Sequence, residues 1–293
     1  MLKFNKHLAK IHAYLCADGY VITNPNKGRK HYTIGFRNTS KILLSDFDEQ
    51  FNVYFDIKPK KRIDGRRVVN NKRIYKELTK DHNYYSINWN FPKLSNDYGK
   101  YWLQSYFDCE AWVINRIARD RHIGVDSINK EGLLSIQDCL RKIGISSKFK
   151  NRGKRTPEQN EIYRLLIYGK NNLIKFQKNI NFLHPKKNRK LQEAIDSYVD
   201  RNWKIGNDEC ENQDEKIRKI LKGKKGFKKK GTYSICSVKK YNLIHLQKFL
   251  KIHLNISSSI YGPKFNKQCC KYYEFNILNQ KQSKNLKNFI YPQ

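Results

Sequence analysis

The chain has 293 residues, of which 39% are hydrophobic and 13% aromatic, enough to close a packed core and to exclude wholesale disorder. Sixty Lys and Arg oppose 26 Asp and Glu, a formal net charge of +34. Such a chain repels itself until a polyanion neutralises it, which points to nucleic acid and sets a membrane surface second, because no basic stretch has a clean apolar face. No apolar run approaches the roughly 18 residues of a spanning helix. The N-terminal MLKFNKHLAK has neither the apolar stretch nor the cleavage site of a secretion signal, so the expectation is a soluble chain that is not secreted, in a cytoplasm or nucleoid, or in an organelle matrix. Seven cysteines include no CxxC pair, so neither a zinc site nor a disulfide framework is expected.

In chain order, LAKIHAYLCADGYV (8–21) reads as a helix ending at Asp18-Gly19. HYTIGFR (31–37) alternates apolar and polar residues as a half-buried strand does. SKILLSDFDEQF (40–51) is an amphipathic helix, VYFDIKPKK (53–61) a strand running into a basic turn, and KRIYKEL (72–78) a strand or a helix start. The pattern then reopens. YWLQSYFDCEAWV (101–113) is a second apolar helix with Asp108 and Glu110 at its end, and NRIARDRHIGVDS (115–127) holds one or two strands. GLLSIQDCLRKIGI (132–145) is a helix closed by Gly144. SSKFK and EIYRLLIYG are strands flanking the loop 151–160, and helices follow at 172–180 and 188–199.

A third partial copy lies 110 residues further on. Leu133, Ile136, Gln137 and Leu140 recur as Leu243, Leu246, Gln247 and Leu250, and Tyr163, Leu165 and Ile167 as Tyr273, Phe275 and Ile277. Coincident offsets in a helix and a strand favour duplication over chance. The position equivalent to Glu110 is Ile220, within KIRKILKGKKGFKKKG, so this copy has no helix-end carboxylate.

The two acids are poorly explained as helix stabilisers, because the helix dipole disfavours negative charge at a C-terminus. Ala13 and Ala17 in one helix, and Ser105 and Cys109 in the other, are small residues four apart that allow two helices to pack closely. Both helices then deliver a carboxylate to one place, where a divalent cation relieves their repulsion. Asp108 reads as structural.

HAYLCADGYV and LQSYFDCEAWV resemble the two motif helices of the LAGLIDADG homing endonucleases, and the units that follow them resemble the family's αββαββα halves. Two motifs 92 residues apart in one chain resemble the monomeric, pseudo-two-fold, archaeal-like members. The resemblance implies an α+β fold of two pseudo-symmetric αββαββα halves with antiparallel DNA-binding sheets, residues 1–98 and 99–204. A basic linker (205–231) and a degenerate third α/β unit (232–293), an accessory nucleic-acid surface, follow. It implies a site-specific endonuclease that cuts a long asymmetric double-stranded DNA target and leaves short 3′ overhangs. Asp18 and Glu110 would be catalytic, and Asp18, Glu110, Gly19 and Ala111 would hold Mg²⁺, or Mn²⁺ or Ca²⁺ in the same site. Ala111 stands where the pattern has Gly, and Cys16 where it has Asp. Where the family usually has Lys or Gln beside the acids, the strand after the first motif offers Arg37 and Asn38, and that after the second Arg116, Arg119 and, further on, Lys130. Expected DNA contacts are Arg29, Lys30, Arg37, Lys58, Lys60, Arg62, Arg66 and Arg67 in the first half, and Arg116, Arg119, Arg121, Lys148, Lys150, Arg152, Lys154 and Arg155 in the second. The alternative is a weak or inactive scaffold that binds DNA or acts on intron RNA as a maturase.

Overall fold

The structure is a computed structural model that describes residues 3–24, 31–116, 120–154, 156–198, 213–224, 226–228, 230–266 and 270–292. The chain divides into two compact units, Met1–Tyr198 and Val199–Gln293.

The first unit contains two successive αββαββα runs. The first is α1 (Lys6–Ala17), β1 (Gly19–Asn24), β2 (His31–Phe36), α2 (Lys41–Phe55), β3 (Lys60–Lys61), β4 (Arg67–Asn70) and α3 (Lys72–Thr79). The second is α4 (Asn96–Glu110), β5 (Trp112–Asn115), β6 (Arg121–Ser127), α5 (Lys130–Lys142), β7 (Lys148–Asn151), β8 (Tyr163–Tyr168) and α6 (Lys170–Asn179), followed by α7 (Pro185–Asp196). Each run folds one antiparallel sheet, ordered β1-β2-β4-β3 and β5-β6-β8-β7. The two runs share one core rather than owning one each.

That core forms around α1 and α4. The Asn5 side chain caps α1 by accepting the His7 and Leu8 N–H groups, both at 3.0 Å. Leu8, Ala9, Ile11, Ala13, Tyr14 and Leu15 are wholly buried, the signature of a helix enclosed on all sides. Ser95 caps α4, which buries Trp102, Leu103, Tyr106 and Phe107. The two helices pack side by side, and the Trp102 indole N–H donates to His12 Nδ1 at 3.1 Å between them. Small buried residues, Ala13 and Ser105, permit this approach.

Residues 53–55, expected in a strand, instead complete α2. Phe47, Phe51 and Phe55 recur at helical spacing, with ring centroids 5.5 and 4.7 Å apart, and Asp56 at φ 54° ends the helix. Helical spacing of large rings outweighed the β-branched Val53. KRIYKEL resolves as helix α3, capped by Asn71.

The second unit comprises α8 (Gln213–Lys222), β9 (Tyr233–Ser237), α9 (Lys240–Leu254), β10 (Ser259–Phe265), β11 (Lys271–Ile277) and α10 (Gln280–Ile290), with sheet order β10-β11-β9. Part of the expected linker is therefore structured: α8 buries Ile217 and Leu221 in this unit's own core, with Tyr233, Leu243, Leu246, Phe275 and Leu286. Hydrogen bonds repeat the duplication. Ser127 Oγ accepts the Asn129 N–H and Ser237 Oγ the Lys239 N–H, both at 3.1 Å. The Gln137 amide donates to the Ser147 carbonyl at 3.1 Å, and Gln247 to that of Ser258 at 2.6 Å. Asn172 receives the Ser146 N–H and Gln282 the Ser257 N–H. The unit thus follows the second half from α4 to α6, with the Phe227–Tyr233 bridge and, among the described residues, no strand in the place of β5.

Candidate active site

Asp18 is the C-cap of α1 and Glu110 the last residue of α4. Gly19 starts β1 at once. A Cβ built there would lie 2.4 Å from Leu15 Cα, so only glycine lets the strand leave the helix so closely. In the second half the helix runs through the acid itself, and Ala111 caps it in an extended conformation (φ −83°, ψ 152°). An alanine fits there because its backbone needs no such approach.

The two carboxylates feel each other. Burial raises Glu110 from its usual 4.5 to about 7, with the Asp18 charge as the second cause and Lys187 opposing. The Cys109 thiol, also beside Asp18, is pushed well up, by burial first. Asn38 Nδ2 donates to Asp18 Oδ2 at 2.7 Å, and the Asn38 oxygen accepts the Ser40 N–H at 2.8 Å. Asn38 is thereby tied to the start of α2 and holds one oxygen of Asp18. Asp108 is structural: it accepts the Leu183 and His184 N–H groups, both at 3.0 Å, at the start of α7. Burial raises it to about 6.

Lys187 escaped the sequence reading. From the first turn of α7 its ammonium donates to the carbonyl of Asp108 at 2.6 Å and to those of Phe107 and Cys109 at 3.3 Å. It closes the carbonyl end of α4, where a cation is favoured, and its charge reaches Asp108, Asp18 and Glu110, while burial lowers its own pKa. HPKKNRK gives no sign of this, since the contact spans nearly eighty residues.

Among the described residues no group of three or more His, Cys, Asp or Glu is placed to hold a metal. Two repelling carboxylates suit a hard ion that takes one or two of them and leaves its other positions to water and phosphate, as Mg²⁺ does.

The expected DNA contacts divide. Register puts Lys60, Val68, Asn70 and Thr33 on the sheet face away from the helices, where a groove of about 890 Å³ is lined by Tyr20, Ile22, His31, Arg62 and Arg66. Arg37, Lys58, Lys60, Arg62 and Arg66 are exposed. Arg67 is not on this face: it stands opposite Phe36 and bonds Asp48 of α2 at 2.5 Å. In the second half Lys148 and Lys150 lie on the outer face opposite Leu166 and Arg164, and Arg152 and Lys154 are exposed near the hairpin tip. Arg116 is exposed beside Asp120. Arg121 turns to the helix side, bonding Ser197 Oγ at 2.6 Å and its carbonyl at 3.0 Å, and lies 4.5 Å from the Tyr198 ring centre. Alternation places Arg67 and Arg121 inward, and nearby side chains engage their charges. Arg29, Lys30, Arg119 and Arg155 lie outside the described residues. Arg164, unremarked in the sequence, sits on the outer face, bidentate to Asp126 at 2.6 Å and over the Trp112 ring.

The family model described as a LAGLIDADG-like domain matches residues 97–181. No curated protein matches the chain. Mesophilic variants of the homing endonuclease I-DmoI are similar in structure at 17% identity, covering 64% of this chain and 99% of theirs, with TM-score 0.46. I-DmoI in complex with DNA and Ca matches at 16% identity over 64% and 99%, TM-score 0.46. Full-length DUF199/WhiA from Thermatoga maritima matches at 12% identity over 76% of this chain and 68% of that one, TM-score 0.45.

Proposed function

With residues 97–181 a LAGLIDADG-like domain, we propose that this chain is a site-specific endonuclease that hydrolyses double-stranded DNA with a divalent cation between Asp18 and Glu110. The observation that carries the reading is the convergence of these two acids from the ends of paired helices, with Asp18 contributing to the raised pKa of Glu110. Mg²⁺ is the favoured ion, and Mn²⁺ or Ca²⁺ would occupy the same site.

Asp18 and Glu110 would hold the ion, together with backbone groups near Gly19 and Ala111. When bound, the ion would supply activation of water and stabilisation of the leaving oxygen. Asn38 fixes the orientation of Asp18. Lys187 spreads positive charge behind the acids without occupying the reacting side. Lys60, Arg62 and Arg66 in one sheet, and Lys148, Lys150, Arg152 and Lys154 in the other, bind phosphates, and neighbouring outer residues read base edges. Both carboxylates come from one chain, so a monomer suffices. The two outer faces differ, Tyr20 and His31 against Trp112 and Arg164, so the target is long and asymmetric. The 199–293 unit adds a further nucleic-acid surface.

The test is cleavage of a supercoiled plasmid library of candidate sites with and without Mg²⁺. Asp18→Asn and Glu110→Gln abolish cleavage while retaining duplex binding in gel shifts. Full cleavage by both variants overturns the assignment. The second reading, a non-catalytic nucleic-acid-binding protein such as an intron RNA maturase, draws on the engagement of Lys187 with carbonyls rather than on the open side of the acids. Wild-type binding without cleavage, together with stimulated splicing of an intron RNA, would select it.

A further inference from the structure

The 199–293 unit repeats the second half but exchanges its sheet face. In the second half the outer row Lys150–Arg164–Asp126 crosses β7, β8 and β6. The matching row across β10, β11 and β9 is Tyr261–Glu274–Cys236. Lys148, opposite Leu166, becomes Ser259 opposite Asn276. This face has thus lost three cations, although from Lys216 onward eighteen lysines and Arg218 meet one acid, Glu274.

In the next row Lys264 stands opposite Tyr272. Lys264 bonds Glu274, which neutralises the one acid. Tyr261 is 45% exposed and Tyr272 half-buried. The Phe227–Tyr233 bridge and the bond from the Lys228 N–H to the Thr232 carbonyl at 2.9 Å lay residues 226–228 along β9, and Lys224 and Lys228 lie close enough to Cys236 to act on its thiol, so they border the same face.

We propose that this face binds single-stranded nucleic acid, with bases stacked on Tyr261 and Tyr272 and phosphates led along Lys224 and Lys228. Duplex reading needs bidentate donors aimed at base edges, and the face has given up its arginine and two outer lysines. Stacking needs flat rings with unpaired bases, and every base has such a surface. Lysine follows phosphate as a point charge without demanding geometry, which fits a sequence-tolerant groove.

The proposal deepens the nucleic-acid part of the reading above and is independent of cleavage. It is tested on the full chain with ten-nucleotide oligouridine and oligodeoxyuridine strands carrying one 4-thio base. Irradiation crosslinks Tyr261 or Tyr272, located by mass spectrometry, and the tighter oligomer identifies the sugar. In fluorescence anisotropy Tyr261→Ala with Tyr272→Ala weakens the strand about tenfold or more, while a random duplex binds as before. Tyr261→Phe with Tyr272→Phe keeps the rings and restores affinity, which separates stacking from folding. Crosslinks confined to residues 1–198, or unchanged affinity in the double alanine variant, overturn the proposal. Asp18→Asn leaves these readouts untouched, so failure of the cleavage reading is registered separately.

Discussion

Lys187→Met should loosen the end of α4 in a pH-dependent way. The ammonium holds three carbonyls, one at 2.6 Å and two at 3.3 Å. A hydrogen bond involving a charged group contributes about 1.5–3 kcal/mol net, and the helix-end cation effect, about 0.3–1 kcal/mol, is part of the same interaction. Methionine recovers packing and removes the cost of burying a charge, so a net loss of about 1–2 kcal/mol is expected at neutral pH. For a unit of this size that is a fall of roughly 2–8 °C in melting temperature. Lys187 also attracts Asp108 and Glu110, whose carboxyls titrate at about 6 and about 7. At pH 5 both are mainly protonated and the attraction is absent; at pH 8 both are charged and the variant leaves them uncompensated. The deficit measured by circular dichroism melting is therefore larger at pH 8 than at pH 5. A deficit equal at both pH values, or none, refutes the role given to Lys187.

The proposed ion site should be pH-dependent: with the Glu110 carboxyl at about 7, Ca²⁺ binding measured by calorimetry is expected to be roughly tenfold weaker at pH 6 than at pH 8 and to release a proton, and equal affinities would contradict this. Without the ion the same carboxyl holds its proton more tightly folded than unfolded, so its contribution is most favourable below the usual 4.5 and declines as pH rises through about 7, visible as a falling melting temperature. Gly19→Ala forces a methyl to 2.4 Å from Leu15 Cα; β1 must shift, costing about 1–3 kcal/mol in denaturant unfolding, and a neutral result would show that the junction is pliant. Lys148→Gln with Lys150→Gln flattens the salt dependence of duplex binding by about two phosphate contacts without changing stability, whereas Arg67→Gln lowers stability and leaves the slope; the reverse pattern would reassign the two faces.

Much of the architecture was legible because it rests on local periodicity. The apolar residues of α1 and α4 announce enclosed helices, and the recurrence of Gln137 as Gln247 announces a repeat that side-chain hydrogen bonds then reproduce. Asp18 and Glu110 stood out because acids are unwelcome at the C-terminal ends of helices. What was hidden depends on where distant elements meet. Arg62 and Arg67 look alike in sequence, yet only alternation along β4 and the position of Asp48 on α2 separate an exposed cation from an internal ion pair. Arg121 is claimed by Ser197, 76 residues away. Residues 53–55 continue α2 rather than opening a strand, because short apolar stretches fit either period and aromatic packing decides between them.

The preserved turns and altered sheet face of the 199–293 unit have an evolutionary consequence. Bonds such as Gln247 to Ser258 and Ser237 to Lys239 tether loops from the helix side, leaving the opposite surface free to drift. A duplicated unit of this kind can change what it recognises without relearning how to fold. The same separation of fold-holding bonds from the outer face offers engineers a module whose outer strands accept libraries of side chains.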